Sequence, residues 1–315
     1  AFRLGYRVGI VANSDGHKGR PGASYPGAAL FGAVGGLTCF LVPELTRQSI
    51  LDCIRKRHHY ATTGGAHGRP LVTLSAEFTK PATLYHDDPR HGQVTGQSAT
   101  SAIMGDIVHL PDGDMTLHVE MRCSAPIERV DIFNGLDLVE TIRPYRQDEL
   151  GSRIRVVWEG AEYRGRFRQV IWDGSAFLSD NEIISATPIN FFNKDKTLEK
   201  PASNELRWKA LTTGNVGGFD IILADAYNGT LKIETPLIKA GVPIEDIGFE
   251  DEVFDNSGVL PRYLKIFRLP TENPHKTMRF SRSIDLKSAG DNPIFIRLTQ
   301  EDGTLVWTSP IYVYR

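Results

Sequence analysis

Residues 115–123 read MTLHVEMRC, an unbroken alternation of apolar and polar side chains. Successive side chains of a strand point to opposite faces, so Met115, Leu117, Val119, Met121 and Cys123 share one face. Thr116, His118, Glu120 and Arg122 share the other. This period of two predicts a strand with one buried face, as in an antiparallel sheet. Further strand-like runs follow at 129–133, 153–158, 165–172, 219–223, 263–267, 294–298 and 305–307. Turn-forming dipeptides punctuate them at Asp112-Gly113, Asn134-Gly135, Asp173-Gly174, Asn228-Gly229 and Asp302-Gly303, the pairs favoured in tight hairpins. No helical period is sustained after residue 70. Residues 65–315 are therefore predicted to be an all-β domain, predominantly antiparallel and sandwich-like, with loop insertions around 190–290. The polar stretches near 193–204 and 270–282 read as loops.

The first 64 residues have a different texture. Tyr6–Ala12 (YRVGIVA) and Leu37–Val42 (LTCFLV) are short, continuously apolar runs, the pattern of strands buried on both faces of a parallel sheet. Between them, residues 13–36 hold seven glycines and two prolines, and a structureless connection of that length is usually functional. A helix is predicted next. Thr46 is its N-cap, Ile50, Leu51 and Ile54 its apolar face, and Gly64 follows its end. Arg55, Lys56 and Arg57 fall in the last turn, where the helix dipole favours cations. Residues 1–64 thus read as an α/β fragment with too few elements to close a domain alone, and the chain is expected to be part of something longer.

Composition bounds the function classes. At 41% hydrophobic and 23% charged residues, with a net charge of −2, the chain is globular and gives no support for a nucleic-acid partner. Residues 1–64 carry eight Lys/Arg against three Asp/Glu, a local +5 compatible with an anionic small-molecule substrate. No apolar run reaches the length of a membrane-spanning helix and no signal peptide is evident, so a soluble protein of the cytoplasm or periplasm is expected. The three cysteines, Cys39, Cys53 and Cys123, are too few and too scattered for a disulfide framework or a thiolate zinc site.

Within the glycine-rich loop, Asp15-x-His17 places a carboxylate and an imidazole two residues apart, just after an apolar strand-like run. The C-terminal ends of parallel strands are where active-site residues gather, and this donor pair suits Zn²⁺, Mn²⁺ or iron. The same dipeptide also fits a turn in which Asp15 caps local amides and His17 is solvated. HDDPRH (residues 86–91) and the adjacent His58 and His59 are further metal-friendly types. The first reads as a solvated turn, and the second as cations complementing a helix end. His118 falls on the polar face of its strand, and His67 and His109 have no motif around them. Arg153, Arg155, Arg164, Arg166 and Arg168 read as a solvated sheet face or, alternatively, as an anion-binding one.

GIVANSDGHKGRPG (9–22) followed by GGLTCFLVPELTRQSILDCIRKRHHYATTG (35–64) resembles the last metal motif and closing strand–helix of the polymerase-and-histidinol-phosphatase (PHP) superfamily. More narrowly it is similar to a large bacterial branch known only as a domain of unknown function. APIERVDIFNG (125–135) and IRLTQEDGTLVWTSPIYV (296–313) resemble the β region that follows the catalytic domain there. The resemblance implies that residues 1–64 are the C-terminal portion of a distorted (β/α)₇ barrel holding a two- or three-metal cluster, with Asp15 and His17 as ligands. Arg20, in the same loop, is the candidate substrate contact. The family's remaining ligands lie on an N-terminal His-x-His motif and intervening strands. No His-x-His occurs in this chain, and two ligands are fewer than the three or more of most catalytic metal sites. The expectation is therefore a phosphoesterase-like, metal-dependent hydrolase of which this chain holds part of the site. Its divalent ions would be completed by a missing N-terminal barrel segment of the same protein. The rival reading is a non-catalytic β-sandwich binding or scaffold module with a degenerate α/β remnant.

Overall fold

The computed structural model describes residues 1–14, 35–63, 69–165 and 168–315. Two compact units emerge: Ala1–Pro144 together with His275–Arg315, and the segment Tyr145–Pro274 inserted between them. The change of composition near residue 64 marks no boundary between units, because strands from both sides of it join one sheet.

The first unit begins with β1 (Leu37–Phe40), α1 (Arg47–Lys56), β2 (His59–Thr62), β3 (Leu71–Tyr85), β4 (Gln97–Ile103), β5 (Ile107–His109), β6 (Met115–Arg122), β7 (Ile127–Asn134) and β8 (Asp137–Ile142). The second unit holds β9 (Arg153–Gly160), β10 (Val170–Ile171), β11 (Gly174–Ser179), β12 (Ile183–Ile189), β13 (Leu198–Ala202), β14 (Glu205–Trp208), β15 (Leu211–Thr212), β16 (Val216–Leu223), β17 (Thr230–Glu234), β18 (Lys239–Pro243), β19 (Glu252–Asp255) and β20 (Arg262–Leu269). The chain returns to the first unit with β21 (Thr277–Ile284), β22 (Asp291–Gln300), β23 (Leu305–Thr308) and β24 (Ile311–Tyr314). Among the described residues α1 is the single α-helix, and it is too short to cross a membrane.

In the first unit twelve strands form one sheet, ordered β1-β2-β23-β22-β24-β5-β3-β6-β21, with β4 on β3, β7 on β22 and β8 on β7. Every pairing is antiparallel except β5 with β24. The alternation that predicts β6 is borne out. Met115, Leu117, Val119 and Met121 are buried while the residues between them are partly exposed. At about 1.5–3 kcal/mol for each buried side chain, that face alone gains roughly 6–12 kcal/mol before chain entropy is counted. It joins Leu74, Ile132, Ile296 and Val313 in one core.

The N-terminal segment departs from expectation. β1 and β2 pair antiparallel, Leu37 opposite Thr62 and Phe40 opposite His59, and β2 continues onto β23. The parallel sheet expected over residues 1–64 is not formed among the described residues, and 6–12 form no strand. The helix starts as predicted: the Thr46 side chain accepts a hydrogen bond from the Ser49 N–H. It ends at Lys56 with Arg57 in the left-handed region, well before Gly64. Only Cys53 of the helix is buried, leaving Leu51 and Ile54 exposed.

In the second unit, the five-stranded sheets β13-β14-β11-β17-β18 and β12-β16-β9-β20-β19 contribute to a single core, as in a sandwich. Trp158 on β9 stacks against Trp208 on β14 at 5.4 Å, with Phe219 edge-on at 5.9 Å. Arg153 and Arg155 present neither a solvated face nor an anion site. Both grip Asp220 across β9 and β16, at 2.7 Å each. Asn134-Gly135 and Asp302-Gly303 close hairpins, β7–β8 and β22–β23. Asp112-Gly113 and Asn228-Gly229 instead fall between strands that do not pair with each other, and Gly174 of Asp173-Gly174 is already the first residue of β11. The polar stretches read as loops contain β13 and β21.

Candidate functional site

Asp15, His17 and Arg20 lie outside the described residues, but the residues up to Ser14 and from Gly35 onward are described. Residues 8–12 approach the sheet through its side chains. The Val8 N–H donates to Tyr312 Oη at 2.7 Å, and that hydroxyl donates back to the Val8 carbonyl at 2.8 Å. The Ile10 N–H donates to Ser309 Oγ at 3.0 Å, and the Ile10 carbonyl lies 2.9 Å from His59 Nδ1. The Ala12 N–H donates to Thr38 Oγ1 at 3.1 Å, and that hydroxyl donates to the Ala12 carbonyl. Hydroxyls and an imidazole thus take the place of a backbone ladder, so an extended apolar segment forms no strand. The Gly36 N–H then donates to the Asn13 carbonyl at 3.1 Å. A Cβ at Gly35 would meet Ser14 Cα at 2.6 Å, so the two ends touch only because residue 35 has no side chain. Ser14 and Gly35, the described residues on either side of the segment that holds Asp15 and His17, thus lie against each other beside β1.

His59 is buried, and burial pushes its pKa below the ordinary 6.5 against the opposing hydrogen bond to Ile10. It is a structural anchor of the N-terminal segment, neither a solvated helix-end cation nor part of the acidic–imidazole cluster described next.

His58, His86 and Asp106 converge from three segments, each offering a ligand atom within 4.8 Å of the other two. His58 follows the end of α1, His86 follows β3, and Asp106 precedes β5. His58 Nε2 lies 2.8 Å from Asp106 Oδ1, and His86 Nδ1 lies 3.5 Å from the same oxygen. The other carboxylate oxygen, Oδ2, accepts the Ile103 N–H at 2.9 Å. Asp106 is 5% exposed at its side chain, whereas His86 is 35% exposed and opens the cluster to solvent. His86 Nδ1 is itself buried and makes only this long contact to Asp106. Burial lowers the His86 pKa, with the Asp106 charge opposing.

One side chain ties the three segments together. Arg57 donates from Nε to the Gly105 carbonyl at 2.9 Å and from Nη2 to the His86 carbonyl at 2.6 Å. Its own backbone has φ +60°, and the Arg57 carbonyl would lie 2.4 Å from a Cβ at Gly105, where φ is +95°. Glycine is required there on both counts.

The HDDPRH turn is not simply solvated. His86 enters this cluster, and Asp88 receives Arg7 at 3.1 Å and Arg90 at 2.5 Å. Burial opposes ionisation of Asp88, but hydrogen bonds from Arg90 and the two guanidinium charges hold its pKa at about 2. Asp87 and His91 remain exposed. His118 sits by Ser281 Oγ at 2.7 Å and His109 stacks on Tyr314, while His67 lies outside the described residues. The cleft lined by Phe2, Arg7, Arg90, Asp137, Asp291 and Tyr312 offers no unbalanced pair of cations, since Arg7 also grips Asp291 at 2.6 Å.

The fold and these sites define a predominantly antiparallel β protein in two units, with a part-buried His–His–Asp cluster in the first. No protein-family model, curated protein or solved structure matches the chain.

Proposed function

We propose that this chain belongs to a metal-dependent hydrolase acting on phosphoesters or similar anions, of the PHP type, and carries part of its active site. Asp15 and His17 are the ligands assigned by this reading, and Arg20 contacts the substrate anion. The supporting observation is the closed stem of the loop. Asn13 and Ser14 meet Gly35 and Gly36, so a Ser-Asp-x-His motif starts from a fixed point rather than from a free linker. The donor set of one carboxylate and one imidazole fits a zinc, manganese or iron ion but falls short of the three ligands usual in a catalytic site. A barrel segment of the same protein would supply the others. Such a segment would also cover Tyr6, Val11, Leu45, Leu51 and Ile54, which are 44–87% exposed. When bound, the metal supplies an activated water. Asp15 and His17 hold and orient the ion, and Arg20 offsets the charge of the anion.

The test is metal content and phosphodiester turnover of the full-length protein and its Asp15→Asn variant. The expected result is loss of turnover together with a lower metal stoichiometry in the variant, the equivalent held through Asp15 being the one lost. Equal stoichiometry and equal turnover in both would sink the proposal. A non-catalytic binding module is the second reading, favoured by the antiparallel β core that each unit builds. Specific binding of a glycan or protein that is indifferent to metal and to Asp15→Asn would favour it.

A further inference from the structure

We propose that His58, His86 and Asp106 form a second divalent-cation site, independent of the loop that carries Asp15 and His17. Its ligand class is a first-row divalent ion such as Zn²⁺, bound by two imidazoles and one carboxylate with a position left open to water or an outside ligand.

Three observations carry this. The first is spacing. Ligands about 2.0–2.2 Å from a tetrahedral Zn²⁺ sit about 3.3–3.6 Å from one another. The three donors here are 2.8 Å and 3.5 Å apart for the two histidine–aspartate pairs, and all lie within 4.8 Å. The spread brackets the separation a tetrahedral ion needs, and side-chain adjustments on the order of an ångström would seat one among them.

The second is the crowding of two imidazoles on one carboxylate oxygen. His86 Nδ1 is buried and faces Asp106 Oδ1 at 3.5 Å, beyond the span of a well-formed hydrogen bond. An ordinary His–Asp pair needs only His58 and Asp106, already 2.8 Å apart. It gives no reason for a second imidazole turned toward the same oxygen. A cation between them does, because both nitrogens then become ligands.

The third is the outer frame. Metal-binding carboxylates are themselves held by hydrogen bonds, and Asp106 Oδ2 accepts the Ile103 N–H. The Asp106 main chain is pinned through the Tyr312 N–H to its carbonyl at 2.9 Å. Arg57, the residue before His58, holds the carbonyls of His86 and Gly105. One guanidinium therefore fixes the backbone beside all three ligands. The 35% exposure of the His86 side chain gives the ion a way in and leaves its outer position accessible.

The experiment is equilibrium dialysis of the full, EDTA-stripped chain against Zn²⁺, with Co²⁺ absorption as a second readout of coordination. Wild type, His86→Ala, His58→Gln and Asp15→Asn are compared. His86→Ala is expected to weaken one Zn²⁺ site at least tenfold and to abolish the visible Co²⁺ bands, with its melting temperature in EDTA unchanged. Asp15→Asn is expected to keep that site, so failure here is distinguishable from failure of the hydrolase reading. Wild-type affinity and stoichiometry in both folded histidine variants would overturn the site. So would metal binding lost in Asp15→Asn but retained in His86→Ala.

Discussion

Replacing Arg57 by alanine removes the clamp that joins the end of α1 to the turns before β5 and after β3. Two hydrogen bonds from its charged guanidinium end on the Gly105 and His86 carbonyls, at 2.9 and 2.6 Å. Bonds to charged groups contribute about 1.5–3 kcal/mol each. The site is half-buried and water replaces part of the loss, so the low end of that range applies, about 3 kcal/mol in total. The first unit has the size at which each kcal/mol moves the melting temperature by about 2–4 °C, so Arg57→Ala should lower its transition by roughly 6–12 °C. Arg57→Gly sharpens the test. It loses the same bonds but relieves the left-handed backbone at φ +60°, worth about 1 kcal/mol, so it should melt above Arg57→Ala. Differential scanning calorimetry at neutral pH in EDTA measures both. A transition for Arg57→Ala within a degree or two of wild type would refute the clamp, and Arg57→Gly melting below Arg57→Ala would refute the strain argument.

Two further predictions follow from buried polar groups. Arg268 is 3% exposed and donates to the carbonyls of Ile247, Gly151, Ala226 and Ile244 at 2.5–3.0 Å. Arg268→Met strands several of them and should destabilise the second unit by about 4 kcal/mol or more, read as a lower urea midpoint; a midpoint equal to wild type contradicts it. His59 and His86 both have pKa values lowered by burial from 6.5. Each binds its proton more readily unfolded than folded, so the first unit should lose stability as pH falls below about 6.5, with no such slope above it. Urea midpoints of the EDTA-treated protein from pH 8 to 5 test this, and a flat profile for wild type would show that burial of these rings does not govern acid stability.

Alternation makes β6 legible in the sequence alone, because a period of two with a fully apolar face has one stable arrangement at a sheet surface. Thr46 announced the helix start for a local reason, a hydroxyl three residues before an orphan amide. β21 was harder to see. In TMRFSRSI only Ile284 is buried, with Met278 and Phe280 half-exposed, and the strand is held by register against β6, a partner more than 150 residues away in the chain. The Asp15-x-His17 motif is legible because its two donors are two residues apart in the sequence. The His58–His86–Asp106 cluster was not legible, because no spacing links residues on three separate segments. The nearest signal was an excess of imidazole at HH and HDDPRH.

The sequence by itself determined that this is a β-rich protein with free thiols, because strand periodicity and cysteine spacing are local properties. Only tertiary structure decided that residues 37–62 join an antiparallel sheet instead of a parallel one. The same is true of the two-unit division, which has one unit inserted within the other, and of Arg57 beside two histidines and an aspartate. Those outcomes depend on which distant segments satisfy each other's backbone groups and bury each other's apolar faces, and such pairings leave no mark on either segment alone.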